Sequence, residues 1–255
     1  MLSPAQRDEF DRRGLLRLPA TIPPAAVTAM RQRVWEHLLG KHAIYPDRPE
    51  TWTVHYPAQF QKLTGTGAFD AMATDELCAV IDDVLGAGRW ERPAHWGRPL
   101  VTFPDPGTPW DIPADGWHLD TQDQGELAMV AVFAHLAPVR HRGGGTLVVS
   151  GSQRLTTPTG PRADNVPARS GEVKAYLRTL HPWLLELWNP DGGTDRISRY
   201  LDTGAVIDGV DVRVEELTGE PGDAVIMHPR LLHTMAPNSL DTPRMMLLQF
   251  LHLRS

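Results

Sequence analysis

The sequence predicts a mainly β protein with flanking helices, folded as a double-stranded β-helix of the jelly-roll, cupin-like type. Two observations carry this prediction. From about residue 100 onward, short apolar runs alternate with turns, which is typical of a double-sheet jelly roll. Before that point, apolar residues recur at helical spacing and glycines end the runs. The expected strands are Leu100–Phe103, Glu126–Phe133, Thr146–Val149, Val210–Val214, Ala224–Met227 and Met245–Leu251.

Two helices are predicted in the N-terminal third of the chain. One begins after Pro23-Pro24 and ends at Gly40, because a proline favours the first turn of a helix and a glycine favours its end. Its apolar face is formed by Val27, Met30, Val34 and Leu38. The other helix begins at a Thr74/Asp75 cap and ends at Gly86.

Composition limits the class of protein. A chain of 255 residues is long enough for one large domain, which we expect to span residues 1–255. The net charge of -6 provides no basic field, so a nucleic-acid partner is not expected. The apolar runs are too short to span a bilayer, and no signal peptide is visible. With a single cysteine, Cys78, the chain can form neither an intrachain disulfide nor a cysteine-based zinc site, and we expect a cytoplasmic protein.

Residues 154–209 interrupt the strand pattern and are interpreted as an insert. Within them, residues 171–187 have helical spacing, and Pro182 should begin a new helix or kink this one. Insertions of this size often form a lid or an oligomer contact. The residues around Arg196, Arg199 and Tyr200 could therefore cover a pocket. An outer helical layer or a homodimer contact is the alternative.

The most informative motif is an H-x-D triplet formed by His118 and Asp120. In a β-strand these two side chains would point to the same side, where they could bind neighbouring positions on a metal. His233 is the best candidate for a third ligand, and His228 is the alternative. Two histidines and one carboxylate form a facial triad, which suits non-haem Fe(II) that activates O₂. Arg244 offers a planar fork for a carboxylate-bearing co-substrate.

The order of these motifs resembles the phytanoyl-CoA dioxygenase family of Fe(II)- and 2-oxoglutarate-dependent oxygenases. That family has H-x-D, then a Gly-Gly turn leading to a G-S-H element, and later a histidine followed by an arginine eleven residues on. Here the turn is Gly143-Gly144-Gly145 and the element is Gly151-Ser152-Gln153. His233 and Arg244 have the same interval of eleven, which favours His233 over His228. The segment from Leu2 to Gly14 also resembles the family's first helix.

The resemblance implies a function and a set of site residues. His118, Asp120 and His233 would hold Fe(II), and Arg244 would pair with the remote carboxylate of 2-oxoglutarate. The Thr102 and Thr146 hydroxyls are expected to assist Arg244. With O₂, the expected reaction is hydroxylation of a small organic molecule with release of succinate and CO₂. Desaturation, epimerisation and ring closure also occur in the family.

Two residues depart from the family pattern and affect the expected co-substrate contacts. Gln153 stands where the G-S-H element has histidine, and Met235 stands where the family often has serine. Two alternatives from other classes stay open. One is a non-catalytic cupin-like metal-binding protein, and the other is a metal-dependent isomerase or oxygenase that does not use 2-oxoglutarate. Arg244 separates the three, because neither alternative requires it.

Overall fold

The computed structural model describes residues 1–105, 107–120, 127–157, 161, 170–189 and 195–254. Within these ranges the chain forms two antiparallel β-sheets with helices on their outer faces. The helices are α1 Pro4–Arg13, α2 Pro24–His42, α3 Gln61–Thr64, α4 Asp75–Leu85, α5 Ser170–Leu180 and α6 Pro182–Leu187. The strands are β1 Leu15–Leu18, β2 Arg98–Thr102, β3 Met129–His135, β4 Thr146–Ser150, β5 Ala205–Ile207, β6 Val210–Glu216, β7 Ala224–Met227, β8 His233–Met235 and β9 Arg244–His252.

Local sequence explains where the N-terminal helices begin and end. At α1, the Ser3 side chain accepts from the backbone of Gln6 while the Gln6 side chain accepts from Ser3, which forms a capping box. Gly14 ends α1 in the left-handed conformation, which glycine adopts without strain. Thr74 caps α4 by accepting from the backbone of Leu77. The predicted helix after Pro23-Pro24 is confirmed but continues two residues beyond Gly40, to His42.

The larger sheet has the strand order β1-β7-β3-β9-β2, and the smaller has the order β5-β6-β4-β8. Every named pair is antiparallel. Both faces of the larger sheet are covered, so β3 and β7 are buried along their whole length. This double burial explains why they read as continuous apolar runs instead of alternating ones.

The core consists of three apolar layers. Between the sheets lie inward residues such as Phe133, Val148 and Met227. On the outer face of the larger sheet, α2 and α4 pack against residues such as Val132. On the outer face of the smaller sheet, the insert packs against residues such as Val149. The expected jelly-roll fold with flanking helices is confirmed.

Three short strands were missed by sequence reasoning, namely β1, β5 and β8. They contain only three or four residues, which is too few for an alternating pattern to stand out. The predicted strand Glu126–Phe133 begins only at Met129, and Glu126 lies outside the described residues.

The described part of the insert contains α5, α6, a π-helical turn and the short strand β5, and α6 confirms that a new helix begins at Pro182. Tyr200 is only 1% exposed and packs edge-on against Trp183, with ring centroids 4.8 Å apart. Because Tyr200 is buried in this way, the structure favours an outer helical layer over a pocket-covering lid at this residue. Residues 158–160, 162–169 and 190–194 of the insert lie outside the described residues.

No helix in the described ranges has both the length and the apolar character needed to cross a membrane.

Two histidines away from the H-x-D motif are held neutral by burial. His135 is fully buried, and desolvation lowers its pKa. Burial, with a contribution from the charge of Arg230, lowers the pKa of His228 to about 3. An unfolded chain would protonate both rings near pH 6.5, whereas the folded chain does not. The unfolded state therefore binds more protons as the pH falls below that value, and this destabilises the fold.

We expect the free energy of unfolding, measured by urea denaturation, to decrease as the pH falls from 7 to 5. Each buried neutral histidine contributes a slope of up to about 1.4 kcal/mol per pH unit below its unfolded pKa. His228→Asn should flatten the slope, because an amide oxygen can still accept from the backbone of Arg230, as the His228 ring does. The exposed His252→Asn variant is the matched control. An unchanged slope in His228→Asn would contradict this account.

Candidate active site

The segment that carries His118 and Asp120 runs beside β8 but is not a regular strand. The backbone N–H groups of His118 and His233 each donate to the carbonyl of the other, at 2.9 and 3.0 Å. Asp120 donates from its backbone to the carbonyl of Pro229 at 2.9 Å. In this described stretch only His118 forms a β-bridge, so regular strand geometry is not what brings the His118 and Asp120 side chains to the same side. Gly116, immediately before Trp117, has a positive φ of 74°, which interrupts extended backbone.

His118, Asp120 and His233 nevertheless converge. Each offers one ligand atom, and the three atoms lie within 4.8 Å of one another. Nε2 of His233 lies 3.5 Å from an Asp120 carboxylate oxygen, and the two imidazole centroids are 4.1 Å apart. His233 is buried, whereas His118 is exposed, so the cluster is open on one side. Two imidazole nitrogens and a carboxylate oxygen fit a divalent transition metal with open coordination positions.

Both imidazoles are oriented by main-chain carbonyls. Nδ1 of His118 donates to the carbonyl of Gly116 at 2.8 Å, and Nδ1 of His233 donates to the carbonyl of Leu231 at 2.9 Å. Because a carbonyl only accepts, each Nδ1 carries the proton and each Nε2 keeps its lone pair. Partial desolvation of the His118 ring, together with the adjacent His233, lowers the pKa of His118, which favours the neutral form that binds metals.

The alternative third ligand, His228, lies elsewhere. Its ring packs against Phe10 of α1, with centroids 6.0 Å apart, and its Nδ1 accepts from the backbone of Arg230 at 3.1 Å. His228 immediately follows β7, whereas β8 begins with His233 and brings it to the triplet. The geometry therefore groups His233, and not His228, with His118 and Asp120.

Arg244 begins β9 and is buried between the sheets, with 1% of its surface exposed. Its two terminal nitrogens donate to the hydroxyls of Thr102 and Thr146 at 3.4 and 3.2 Å, and its Nε lies 3.2 Å from the sulfur of Met246. Thr102 ends β2 and Thr146 begins β4, so residues from both sheets meet at this guanidinium. The predicted association of Arg244 with these two threonines is thus present as contacts.

The charge of Arg244 lacks a direct counterion in the described part of the chain, where no carboxylate lies within 4.0 Å of it. Burial lowers its pKa to about 10, so the group stays cationic at neutral pH. A buried, hydroxyl-lined cation is costly unless an anion pairs with it. The arrangement therefore fits the carboxylate of a small ligand.

Sequence reasoning missed Glu216, which lies at the end of β6 with a fully buried carboxylate. It accepts from the backbone N–H groups of Arg142 and Gly145, at 2.7 and 2.9 Å, and so holds the Gly143-Gly144-Gly145 turn that leads into Thr146. Burial raises the pKa of this carboxyl group. The signal in the sequence was an acidic residue at a position where the alternation of β6 places an apolar one.

The two departures from the family pattern have distinct surroundings. Gln153 is buried and donates to the carbonyl of Asp11 at 3.1 Å, so it attaches the Gly-Ser-Gln element to α1. Met235 is 52% exposed and pairs with Thr146 across the β8–β4 ladder. Met235 lies two residues after His233 on β8, and residues two apart on a strand share a face.

The model of the phytanoyl-CoA dioxygenase family matches residues 10–246. The chain belongs to the phytanoyl-CoA dioxygenase family. It is therefore an enzyme of the non-haem iron and 2-oxoglutarate-dependent oxygenase class. No curated protein matches this family member by sequence.

Solved structures share the fold of this phytanoyl-CoA dioxygenase family member at low sequence identity. HygX from Streptomyces hygroscopicus, with nickel and 2-oxoglutarate bound, is 16% identical with a TM-score of 0.55, covering 99% of this chain and 87% of HygX. EvdO2 from Micromonospora carbonacea var. aurantiaca is 17% identical with a TM-score of 0.57, covering 100% and 92%. The alpha ketoglutarate dependent epimerase SnoN from nogalamycin biosynthesis is 16% identical with a TM-score of 0.53, covering 97% and 81%. These likenesses establish the fold.

Proposed function

We propose that this chain hydroxylates a small organic molecule, with His118, Asp120 and His233 holding Fe(II). The observation that carries the proposal is the convergence of the three ligand atoms within 4.8 Å, with both imidazoles oriented through Nδ1. A neutral histidine pair and one carboxylate leave open positions on a six-coordinate metal. Fe(II) bound there with 2-oxoglutarate would supply the O₂-activating chemistry that releases succinate and CO₂.

We further propose that Arg244 binds the remote carboxylate of 2-oxoglutarate, assisted by Thr102 and Thr146. The buried guanidinium has two hydroxyl neighbours and no direct carboxylate partner in the described ranges, which favours an anionic ligand over a purely structural role. The hydroxyls hold the planar fork in place, so its orientation does not depend on the ligand. HygX and EvdO2 both have structures with 2-oxoglutarate bound, which supports the same co-substrate here.

Each protein residue has a defined task in this proposal. The carbonyls of Gly116 and Leu231 keep the two imidazoles neutral and oriented, so the metal meets preformed ligands. Asp120 supplies the negative charge of the ligand set and fills the position that a halide would need. Arg244, which is buried between the sheets, neutralises the remote carboxylate of the co-substrate. The exposed side of His118 leaves the substrate an approach from solvent.

A direct test is anaerobic loading of the protein with Fe(II) and 2-oxoglutarate, followed by exposure to O₂ with a panel of small substrates. We expect succinate to form only when metal, 2-oxoglutarate and O₂ are all present, and to rise with a true substrate. Product analysis distinguishes hydroxylation from desaturation, epimerisation or ring closure. Oxidation that proceeds equally well without 2-oxoglutarate would contradict the proposal and favour an oxygenase of another kind.

Three broader features belong to the same proposal. We expect residues 1–255 to form a single oxygenase domain that includes the insert 154–209. We expect a cytoplasmic protein, because a chain with a single cysteine, Cys78, is not stabilised by an intrachain disulfide. We also propose a homodimer without a nucleic-acid partner, which sedimentation velocity can test.

A further inference from the structure

Arg196, in the insert, uses every N–H group of its guanidinium. Its Nε donates to the carbonyl of Ile112 at 3.0 Å, and one terminal nitrogen donates to the carbonyls of Pro113 and Leu187 at 3.2 and 2.8 Å. The other terminal nitrogen donates to the carbonyls of Glu186 and Asn189, both at 3.2 Å. An arginine has five donors in a fixed plane, so this side chain is fully satisfied by main-chain acceptors.

These five carbonyls belong to two different parts of the fold. Three of them, from residues 186, 187 and 189, lie at the end of α6, where carbonyls lack partners within the helix and favour a cation. The other two, from Ile112 and Pro113, belong to the segment that leads to His118. The side chain of Arg196 therefore joins the insert to the segment that carries two candidate metal ligands.

That segment has few other anchors before His118. The indole N–H of Trp117 donates to the carbonyl of Pro113 at 2.8 Å, and the hydroxyl of Thr234 donates to the carbonyl of Asp115 at 3.3 Å. The next carbonyl, that of Gly116, orients the imidazole of His118. The backbone of this stretch pairs with β8 only at His118, so the residues before it are placed by side-chain hydrogen bonds and by the buried side chains of Ile112 and Trp117.

We propose that Arg196 is a positioning residue for the metal centre. By clamping the carbonyls of Ile112 and Pro113, it sets the course of residues 112–118 and so the place of the Gly116 carbonyl and the His118 ring. The inference rests on the proposed role of His118 as a ligand. A lysine at position 196 could not form the same five hydrogen bonds as Arg196, because an ammonium group has only three donors and no planar fork.

The clamp is tested first in the metal-free protein by hydrogen–deuterium exchange. We expect Arg196→Ala to increase exchange at residues 112–118 while β3 keeps its protection. Arg199→Ala is the matched control, because Arg199 lies three residues after Arg196 and its side chain contacts Glu186 and Tyr200, which both belong to the insert. That control should leave residues 112–118 unchanged. Equal exchange in Arg196→Ala and the unmodified protein would overturn the clamp.

The consequence for the metal centre is tested with Co(II), whose visible absorption depends on coordination geometry. Loss of a group that hydrogen-bonds directly to a metal ligand costs about 10–100-fold in metal affinity, and Arg196 acts one contact further away, so this range is the upper bound. We expect Arg196→Ala to weaken Co(II) binding by up to that amount and to alter the spectrum, with Arg196→Lys affected less and Arg199→Ala unaffected. If Arg196→Ala does not fold, Arg196→Lys decides alone. If the variant that folds has the same Co(II) affinity and the same spectrum as the unmodified protein, the proposal is overturned.

The two measurements separate this inference from the proposed function. Failure of the unmodified protein to bind Co(II) would reject the metal centre itself, whatever Arg196 does. Increased exchange at residues 112–118 with unchanged Co(II) binding would show a structural contact only, and would overturn the positioning role while leaving the metal centre intact.

Discussion

Replacing Arg244 by alanine is expected to weaken 2-oxoglutarate binding by about thirty-fold or more. Removing one partner of a buried, hydrogen-bonded charge pair costs about 2–5 kcal/mol, and each 1.4 kcal/mol corresponds to a factor of ten. Here the cation is 1% exposed and its neighbours are two hydroxyls, so no nearby side chain can take over its charge. Anaerobic calorimetric titration of 2-oxoglutarate into the metal-loaded protein measures the loss.

Three further variants sharpen this prediction. Arg244→Lys keeps the charge but loses the fork, so we expect partial recovery only. Thr102→Val, which removes one hydroxyl neighbour, should have a smaller effect than either change at Arg244. Arg98→Ala, at an exposed position on β2, is the control and should bind 2-oxoglutarate normally. Normal 2-oxoglutarate affinity in Arg244→Ala would remove the main support for this co-substrate site.

The second large effect is expected at the metal ligands. His233→Ala and Asp120→Ala should each weaken Fe(II) binding by more than the roughly 100-fold that loss of a supporting contact can cost, because a direct ligand is removed. Succinate formation should then be lost. The variants should remain folded, since Asp120 is only partly buried and the β8 ladder uses backbone groups. Anaerobic Fe(II) titration together with far-ultraviolet circular dichroism checks both expectations.

His228→Asn is the matched control for the ligand variants. His228 packs against Phe10 and lies outside the cluster of three ligand atoms, so its replacement should leave Fe(II) affinity unchanged. The reverse pattern, with Fe(II) binding lost in His228→Asn and kept in His233→Ala, would show that the third ligand had been misassigned.

The comparison of sequence with structure shows what short-range patterns can and cannot predict. Helices such as α4 were predictable because the N-cap residue, the apolar face and the terminal glycine all indicate the same eleven-residue helix. The strand β8 was not, because three residues carry no period. The eleven-residue interval between His233 and Arg244 favoured His233 over His228 without any knowledge of its strand, and the structure places His233 beside His118 and Asp120.

The convergence of His118, Asp120 and His233 could be predicted from the sequence, whereas the contacts that support them could not. The backbone of Asp120 bonds to the carbonyl of Pro229, and the Arg196 fork bonds to Ile112, over separations of about a hundred residues. Such pairs are formed by tertiary packing and leave no local pattern in the sequence. Glu216 is similar, because a buried acid becomes meaningful only once the Gly143-Gly144-Gly145 turn is seen folded around it.

The imidazoles of His118 and His233 are both held by carbonyls two residues earlier in the chain, Gly116 and Leu231. No amino-acid substitution removes a carbonyl, so the acceptors that set the ring tautomers are immune to point mutation as long as the backbone path is kept. A change of side chain elsewhere around the site therefore leaves both imidazole orientations in place, whereas a change that bends the backbone at Gly116 or Leu231 would move them. For enzyme engineering, residues 112–118 and 229–233 are therefore the stretches in which the backbone path has to be preserved.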